Sequence, residues 1–251
     1  MRNATMKKVG IIGCGAIASL IAEACDNGTV KCDELILYDY NNEKAQKLQK
    51  SLSMASRIVR SVDEMIQRRP AVVIEAASQE AVKEYAERIL HENIELVVMS
   101  TGALLESNID SSRIHFPSGA VGGLDAMSSA ALAGIDEVIL TTRKNPRVLN
   151  VEGKRKKTVY QGTAEEAVKL FPREMNVAAT LALTVRPAKV KVRVVADPDV
   201  RRNTHEILVK WKRGEMSLRF ENEPHPENPG TSALAAWSAI RLLIDLLEEE
   251  G

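Results

Sequence analysis

The chain has 251 residues, 45% of them hydrophobic, and its 34 Lys plus Arg are matched by 34 Asp plus Glu. That length supports one large or two small domains with a core that needs no disulfide or metal. Zero net charge implies no charge-driven partner, neither nucleic acid nor membrane surface. Cys14, Cys25 and Cys32 form an odd set without C-x-x-C spacing or clustered histidines, which argues against a disulfide framework and against a metal site. A reducing cytoplasm fits such cysteines. The first residues, MRNATMKK, lead into a strand without the apolar region of a signal peptide, and no apolar run is long enough to span a membrane. A soluble protein is expected.

The first element is the most informative. In KKVGIIGCGAIA, from Lys7 to Ala18, the apolar run Val9 to Ile12 is followed by Gly13, Gly15 and Ala18 in the spacing G-x-G-x-x-G/A. Apolar residues then recur at helical spacing, at Ile17, Leu20, Ile21 and Ala24. Strand, tight turn and helix in that order form the dinucleotide-binding fingerprint. Gly13 permits the turn, Gly15 lets backbone N–H groups approach a pyrophosphate, and the helix N-terminus faces the anion. A second apolar run, Leu35 to Tyr38, ends at Asp39, about 20 residues beyond Ala18, where the fingerprint wants a carboxylate for the ribose hydroxyls. The expected cofactor contacts in this stretch are Gly13, Gly15, Ala16, Ile17 and Asp39. Cys14, inside the loop, reads as a small side chain filling a turn.

Helices are expected at Asn42 to Leu52, Asp63 to Arg69 and Gln79 to Leu90, and buried strands at Ala71 to Ile74, Glu95 to Met99 and Arg113 to Phe116. The alternation predicts a Rossmann-type doubly wound parallel sheet. Ligands of such sheets lie outside the carboxyl ends of the strands, so Ala76, Ala77 and Ser78, with residues 100–102, should line the cofactor crevice. The residues Pro117 to Gly123 contain three glycines and enter a helix at Leu124 to Leu132, a second place for backbone to approach a ligand.

The pattern then changes. A strand at Ile135 to Thr142 precedes a charged loop, Lys144 to Lys157, in which Arg155, Lys156 and Lys157 read as a solvated face. Helices follow at Ala164 to Leu170 and Asn176 to Leu183. Val190, Val192 and Val194 alternate with Lys191 and Arg193, the mark of a sheet with one wet face. His205 to Lys212 and Met216 to Phe220 form a hairpin with Ile207, Val209 and Trp211 on one face, and His205 shares their parity. A proline-rich link at Pro224, Pro226 and Pro229 leads to a last helix, ending at Glu248 to Glu250 and expected to pack back on the first domain. Residues 1–117 thus read as the dinucleotide domain, with helix 231–251 added to it, and residues 118–230 as a smaller α+β substrate domain.

A dinucleotide domain followed by a smaller mixed sheet suggests a nicotinamide oxidoreductase, whose protein part supplies orientation and proton transfer. Histidine is the usual proton-transfer group. His91 lies late in a helix, His115 inside a strand and His225 between two prolines. His205 remains, and position alone leaves it divided between a catalytic and a structural role.

The stretches HFPSGAVGGLDA from His115 to Ala126, NVAATLAL from Asn176 to Leu183, Asp197-Pro198 and Asn203-Thr204-His205-Glu206-Ile207 resemble the motifs of the L-aspartate dehydrogenase family. With the N-terminal fingerprint, the resemblance covers essentially the whole chain. It implies oxidative deamination of L-aspartate with NAD or NADP, giving iminoaspartate and then oxaloacetate and ammonia, in the supply of iminoaspartate for NAD biosynthesis. It also implies cofactor contacts at Ala120 and Asn176, a catalytic His205, and a homodimer formed through the second domain. Asp39 is expected to favour NAD by repelling a 2′-phosphate. For the two substrate carboxylates the candidate receptors are the backbone of residues 119–123 and Arg143, Arg173, Arg186 and Lys144, each of which alone reads as a surface charge. Rival readings are a homoserine dehydrogenase-like or dihydrodipicolinate reductase-like enzyme, and a non-catalytic NAD-sensing protein.

Overall fold

The structure, a computed structural model, describes residues 6–107, 109, 112–152, 155–225 and 228–249. Residues 1–5 of MRNATMKK, Pro226 of the link, and Glu250 and Gly251 lie outside the described residues. The chain divides into two compact units, Met1–Ala103 with Ser107–Pro117 and Ala236–Gly251, and Leu104–Glu106 with Ser118–Ala235.

The first unit alternates strands and helices: β1 (Lys8–Ile12), α1 (Ala16–Asp26), β2 (Glu34–Tyr38), α2 (Asn42–Lys50), β3 (Ser56–Ile58), α3 (Val62–Gln67), β4 (Val72–Glu75), α4 (Gln79–His91), β5 (Glu95–Val98) and β6 (Ile114–His115). Its sheet has the order β3-β2-β1-β4-β5-β6, and every neighbouring pair is parallel. Helices cover both faces of such a sheet, so its inner strands are apolar throughout: Val9, Ile11, Leu35, Ile36, Leu37, Val72, Val73 and Ile74 are all fully buried. At Gly10 a Cβ would sit 2.6 Å from Met65 Sδ, so glycine lets α3 close on β1. Asn41, Ser61 and Ser78 cap α2, α3 and α4 through their side-chain oxygens.

Two features depart from the expected pattern. β3 is Ser-Arg-Ile, too short and polar to show a strand period, and only its pairing with β2 makes it a strand. β6 is reduced to two residues at the sheet edge, and His115 is half-buried there, with Nε2 2.7 Å from Glu95 Oε2, not a core residue.

The last helix, α8 (Ala233–Glu249), belongs to the first unit from Ala236 onward. It buries Ala236, Ala239, Ile240, Leu243 and Leu247, and Lys7 Nζ donates to the Leu247 carbonyl at 2.5 Å.

The second unit contains α5 (Leu124–Ala133), β7 (Ile135–Lys144), β8 (Lys157–Thr163), α6 (Ala164–Leu170), α7 (Asn176–Thr184), β9 (Val190–Ala196), β10 (Asn203–Trp211), β11 (Gly214–Asn222), β12 (Pro224–His225) and β13 (Asn228–Ser232). The main sheet runs β11-β10-β7-β9-β8; the β7–β9 pair is parallel and the others are antiparallel. One face carries Val138, Leu140, Val190, Val192, Val194, Ile207 and Val209 into a core shared with Ala178, Ala179 and Leu181 of α7. β8 was not legible as a strand because KTVYQGT lacks a buried face; it pairs with β9 and runs directly into α6, which opens on the capping box Thr163–Glu166. The proline-rich link holds a short antiparallel ladder, β12 on β13.

Candidate active site

In the first unit the strand order reverses between β1 and β4, and a crevice forms at the carboxyl ends of strands there. Gly13 has φ +90°, and a Cβ on it would lie 2.8 Å from both the Ala76 oxygen and Ala77 Cβ. Its N–H donates to the Tyr38 carbonyl at 2.8 Å, fixing the loop against β2. Gly15 is the N-cap of α1; it is extended, and a Cβ there would meet nothing within 4 Å. No side chain caps α1, so its first-turn N–H groups, those of Ala16 and Ile17 among them, have no acceptor within the helix. Glycine is required at position 13 by the fold, whereas at position 15 the backbone would tolerate a side chain. An uncapped helix start with room before it fits the diphosphate of a dinucleotide.

Asp39 closes the loop from the side of β2. Its Oδ2 accepts from the Cys14 N–H at 2.7 Å and its Oδ1 from the Asn41 N–H at 2.8 Å. The Cys14 thiol is buried, and burial followed by the Asp39 charge pushes its pKa up to about 12, so it is no nucleophile. On the β4 side the organising group is Glu75, the last residue of the strand. Its Oε1 accepts from the Ala77 and Ser78 N–H groups, each at 2.8 Å, and from Ser100 Oγ at 2.9 Å. Oε2 accepts from the Ser100 N–H at 3.0 Å. One buried carboxylate thus holds the ends of β4 and β5 in register, and burial raises its pKa against those four donors. Ala76 donates its N–H to the Ile12 carbonyl at 2.8 Å. Beyond β2 and β3 lies a cavity of about 570 Å³ whose lining includes Tyr38, Asp39, Tyr40, Asn42, Ile58 and Arg60.

The second unit builds a different kind of site. His205 on β10 is 3% exposed and pairs in register with Thr142 on β7, and its Nδ1 lies 3.0 Å from Thr142 Oγ1. Lys144, two residues along β7 and so on the same face, is 1% exposed, and its Nζ donates to the Glu174 carbonyl at 3.4 Å, just before α7. Burial lowers the Lys144 pKa to about 8. Burial and then the charge of Lys144 lower that of His205 to about 3, so the imidazole is neutral at pH 7. Phe220 lies opposite His205 on β11, and a Cβ on Gly122 would be 3.6 Å from its ring. Asn222 Nδ2 donates to the Ala120 carbonyl at 2.9 Å. The loop 119–123 therefore sits over the His205 face of the sheet, and Gly123, with φ +76°, begins α5 without a side-chain cap.

Within the second unit, then, His205, Ala120 and the α7 start at Asn176 gather around one sheet face. Lys144 corrects the sequence reading, which took it for a surface charge. Its burial follows from strand parity: Val138, Leu140, Thr142 and Lys144 point one way, while Arg143 points the other and pairs with Glu206 at 2.6 Å. Arg186 donates to the Leu105 carbonyl from an exposed position and Arg173 is exposed, so neither joins the His205 face. His91 is exposed beside Glu92, as expected.

An L-aspartate dehydrogenase of Archaeoglobus fulgidus is 42% identical over 250 residues, covering 96% of this chain and 98% of the relative. One from Methanothermobacter thermautotrophicus is 42% identical over 252 residues, with 96% of each covered. This chain belongs to the L-aspartate dehydrogenase family. The family model described as aspartate dehydrogenase, C-terminal, matches residues 125–246. Residues 13–115 match the NAD-binding domain described for homoserine dehydrogenase, so that likeness is confined to the dinucleotide unit. The crystal structure of aspartate dehydrogenase from Thermotoga maritima superposes with a TM-score of 0.74 at 32% identity, covering 97% of both chains. A myo-inositol dehydrogenase from Lactobacillus casei, at 12% identity and a TM-score of 0.59, shares the fold alone.

Proposed function

We propose that this chain oxidises L-aspartate with NAD or NADP to iminoaspartate, which water converts to oxaloacetate and ammonia. The observation that carries the reading is the buried Lys144–His205 pair on one sheet face of a chain from this family. Gly13, Gly15, Ala16, Ile17, Asp39 and residues 76–78 would hold the dinucleotide, with Ala120 and Asn176 contributing from the second unit. When bound, that cofactor accepts a hydride from the substrate Cα.

The chain's own residues supply charge and proton transfer. With a pKa of about 8, Lys144 is mainly a cation at pH 7, and in a desolvated site it receives one substrate carboxylate. The uncapped start of α5 at Gly123 receives the other. Nδ1 of His205 lies 3.0 Å from Thr142 Oγ1, and the tautomer that donates Nδ1–H there keeps the lone pair of Nε2 for a proton. Two carboxylates entering the site counter the Lys144 charge and raise the basicity of His205, so the base strengthens when substrate is present. Nε2 takes a proton from the substrate ammonium, which frees the amine lone pair to form the iminium as the Cα hydride leaves. It passes that proton to solvent, takes another from the water that attacks the iminium carbon, and gives it to the departing ammonia.

From the family resemblance we infer that the iminoaspartate supplies NAD biosynthesis, and the free thiols of Cys14, Cys25 and Cys32 suit a cytoplasmic enzyme. A homodimer would use the other face of the second-unit sheet, where Ile139 and Leu208 are flanked by the Arg143–Glu206–Arg219 ion pairs. Light scattering on the purified protein tests that. The activity is tested by aspartate-dependent formation of reduced nicotinamide. His205→Ala should lower turnover by about 10²- to 10⁴-fold while NAD binding, read by fluorescence, is retained. Normal turnover in that variant would remove His205 from the mechanism.

A further inference from the structure

The cavity beyond β2 and β3 holds a feature that the fingerprint does not require. Doubly wound sheets place the ribose end of a dinucleotide at the carboxyl end of the second strand, which here is Asp39. Arg60 reaches the same cavity from the end of β3. Its backbone is fixed on both sides: the Val59 N–H donates to the Leu37 carbonyl at 3.0 Å, and the Arg60 N–H donates to Glu64 Oε2 at 3.0 Å. Its side chain is exposed, and no described carboxylate lies in ion-pair range of it, because Glu64 pairs instead with Arg68 at 3.2 Å. The nearby Arg57 is likewise taken, by Glu34 at 3.3 Å. Meanwhile each Asp39 oxygen already accepts a backbone N–H, from Cys14 and from Asn41, and those donors offset part of its negative charge. Lone pairs remain for a ribose hydroxyl, but the repulsion of a phosphate is blunted.

We infer that Arg60 is the receptor for a 2′-phosphate, so that one cavity takes NAD through Asp39 and NADP through Arg60. The inference rests on the dinucleotide reading of the first unit and is independent of the amino-acid substrate. A guanidinium on a backbone anchored at Val59 and at its own N–H suits a planar, two-pronged grip on phosphate. Exposure of the site makes the phosphate contact salt-sensitive, whereas the hydroxyl contact is not.

The test is a fluorescence titration of the purified protein with NADH and with NADPH, for the wild type, Arg60→Gln and Arg60→Lys. Wild type should bind both. R60Q should weaken NADPH by at least about tenfold, the worth of one charge-assisted hydrogen bond, and NADH by less than about twofold. R60K should recover part of the loss as a point charge, and added salt should shrink the NADPH difference between wild type and R60Q. Equal NADPH affinity in wild type and R60Q, equal loss of both dinucleotides, or a wild type that binds NADH alone would each overturn the assignment. Binding of neither dinucleotide would overturn it together with the cofactor reading. Because the readout is binding, a protein that binds both yet turns over no aspartate sinks the substrate reading, and the R60Q ratio still decides this one.

Discussion

The two units make their sites from opposite materials. In the first, the crevice is shaped by what is missing: side chains are absent at Gly13 and Gly15, no residue caps α1, and backbone N–H groups are left to bind. In the second, the site is shaped by what is buried, a lysine and a histidine held with Thr142 at the end of an apolar sheet face. A site of backbone donors carries little desolvation cost, because amide dipoles are tied into the fold regardless. Burying ionisable side chains is expensive, and the depressed pKa values of Lys144 and His205 measure that expense. Damage to the first site should therefore be felt as lost affinity, and damage to the second as lost turnover with stability kept or gained.

The sharpest break is Lys144→Met. Removing a buried cation into an apolar setting should leave folding unharmed or more favourable by about 2 kcal/mol, while kcat/KM for aspartate falls by about 10³-fold. Thermal melting and initial rates on one preparation check both halves; a variant that loses stability as well would contradict the view that Lys144 is a cost of function.

Acid should expose the burial of His205. Its folded pKa, about 3, lies below the ordinary 6.5, so from pH 6.5 downward the unfolded chain binds a proton that the folded chain refuses. Stability contributed by the neutral imidazole is lost as pH falls through that window, by about 3 kcal/mol between pH 6.5 and pH 4. His205→Gln removes the term, so denaturant midpoints measured at the two pH values should converge in the variant relative to wild type.

The glycines sharpen the other side of the comparison. Gly13→Ala puts a Cβ against the backbone of Ala76 at a positive φ and should destabilise the fold by about 2–3 kcal/mol, with dinucleotide binding lost alongside. Gly15→Ala is the informative partner, since its Cβ enters open space on an extended backbone. Its unfolding free energy should stay within about 0.5 kcal/mol of wild type while NADH affinity drops about tenfold. Equal affinity in wild type and Gly15→Ala would show that the space before α1 is not the diphosphate seat. The smallest effect is expected for Cys14→Ala, a buried turn filler, at about 1 kcal/mol in stability and none in turnover.

The parallel sheet was readable because its signals are local. Continuous apolar runs alternate with helical periods, and glycine spacing reports a turn that only glycine allows. β3 and β8 escaped such reading, since each is a strand by virtue of the neighbour it pairs with and carries no period of its own. Lys144 escaped for a related reason: the strand was expected to end at Thr142, so its parity did not reach Lys144, which sits among Arg143, Asn145 and the charged loop.

By itself, the order of residues settled the dinucleotide turn, the doubly wound class and the family motifs, because each depends on contacts between residues near in the chain or on a fixed spacing. Tertiary structure alone decided that Lys144 and His205 share one desolvated face and that Glu75 pins two strand ends. It also decided that Arg60 shares a cavity with Asp39. Strand pairing joins positions far apart in the chain, and burial, which sets their charge state, belongs to the packed surroundings and not to the residue.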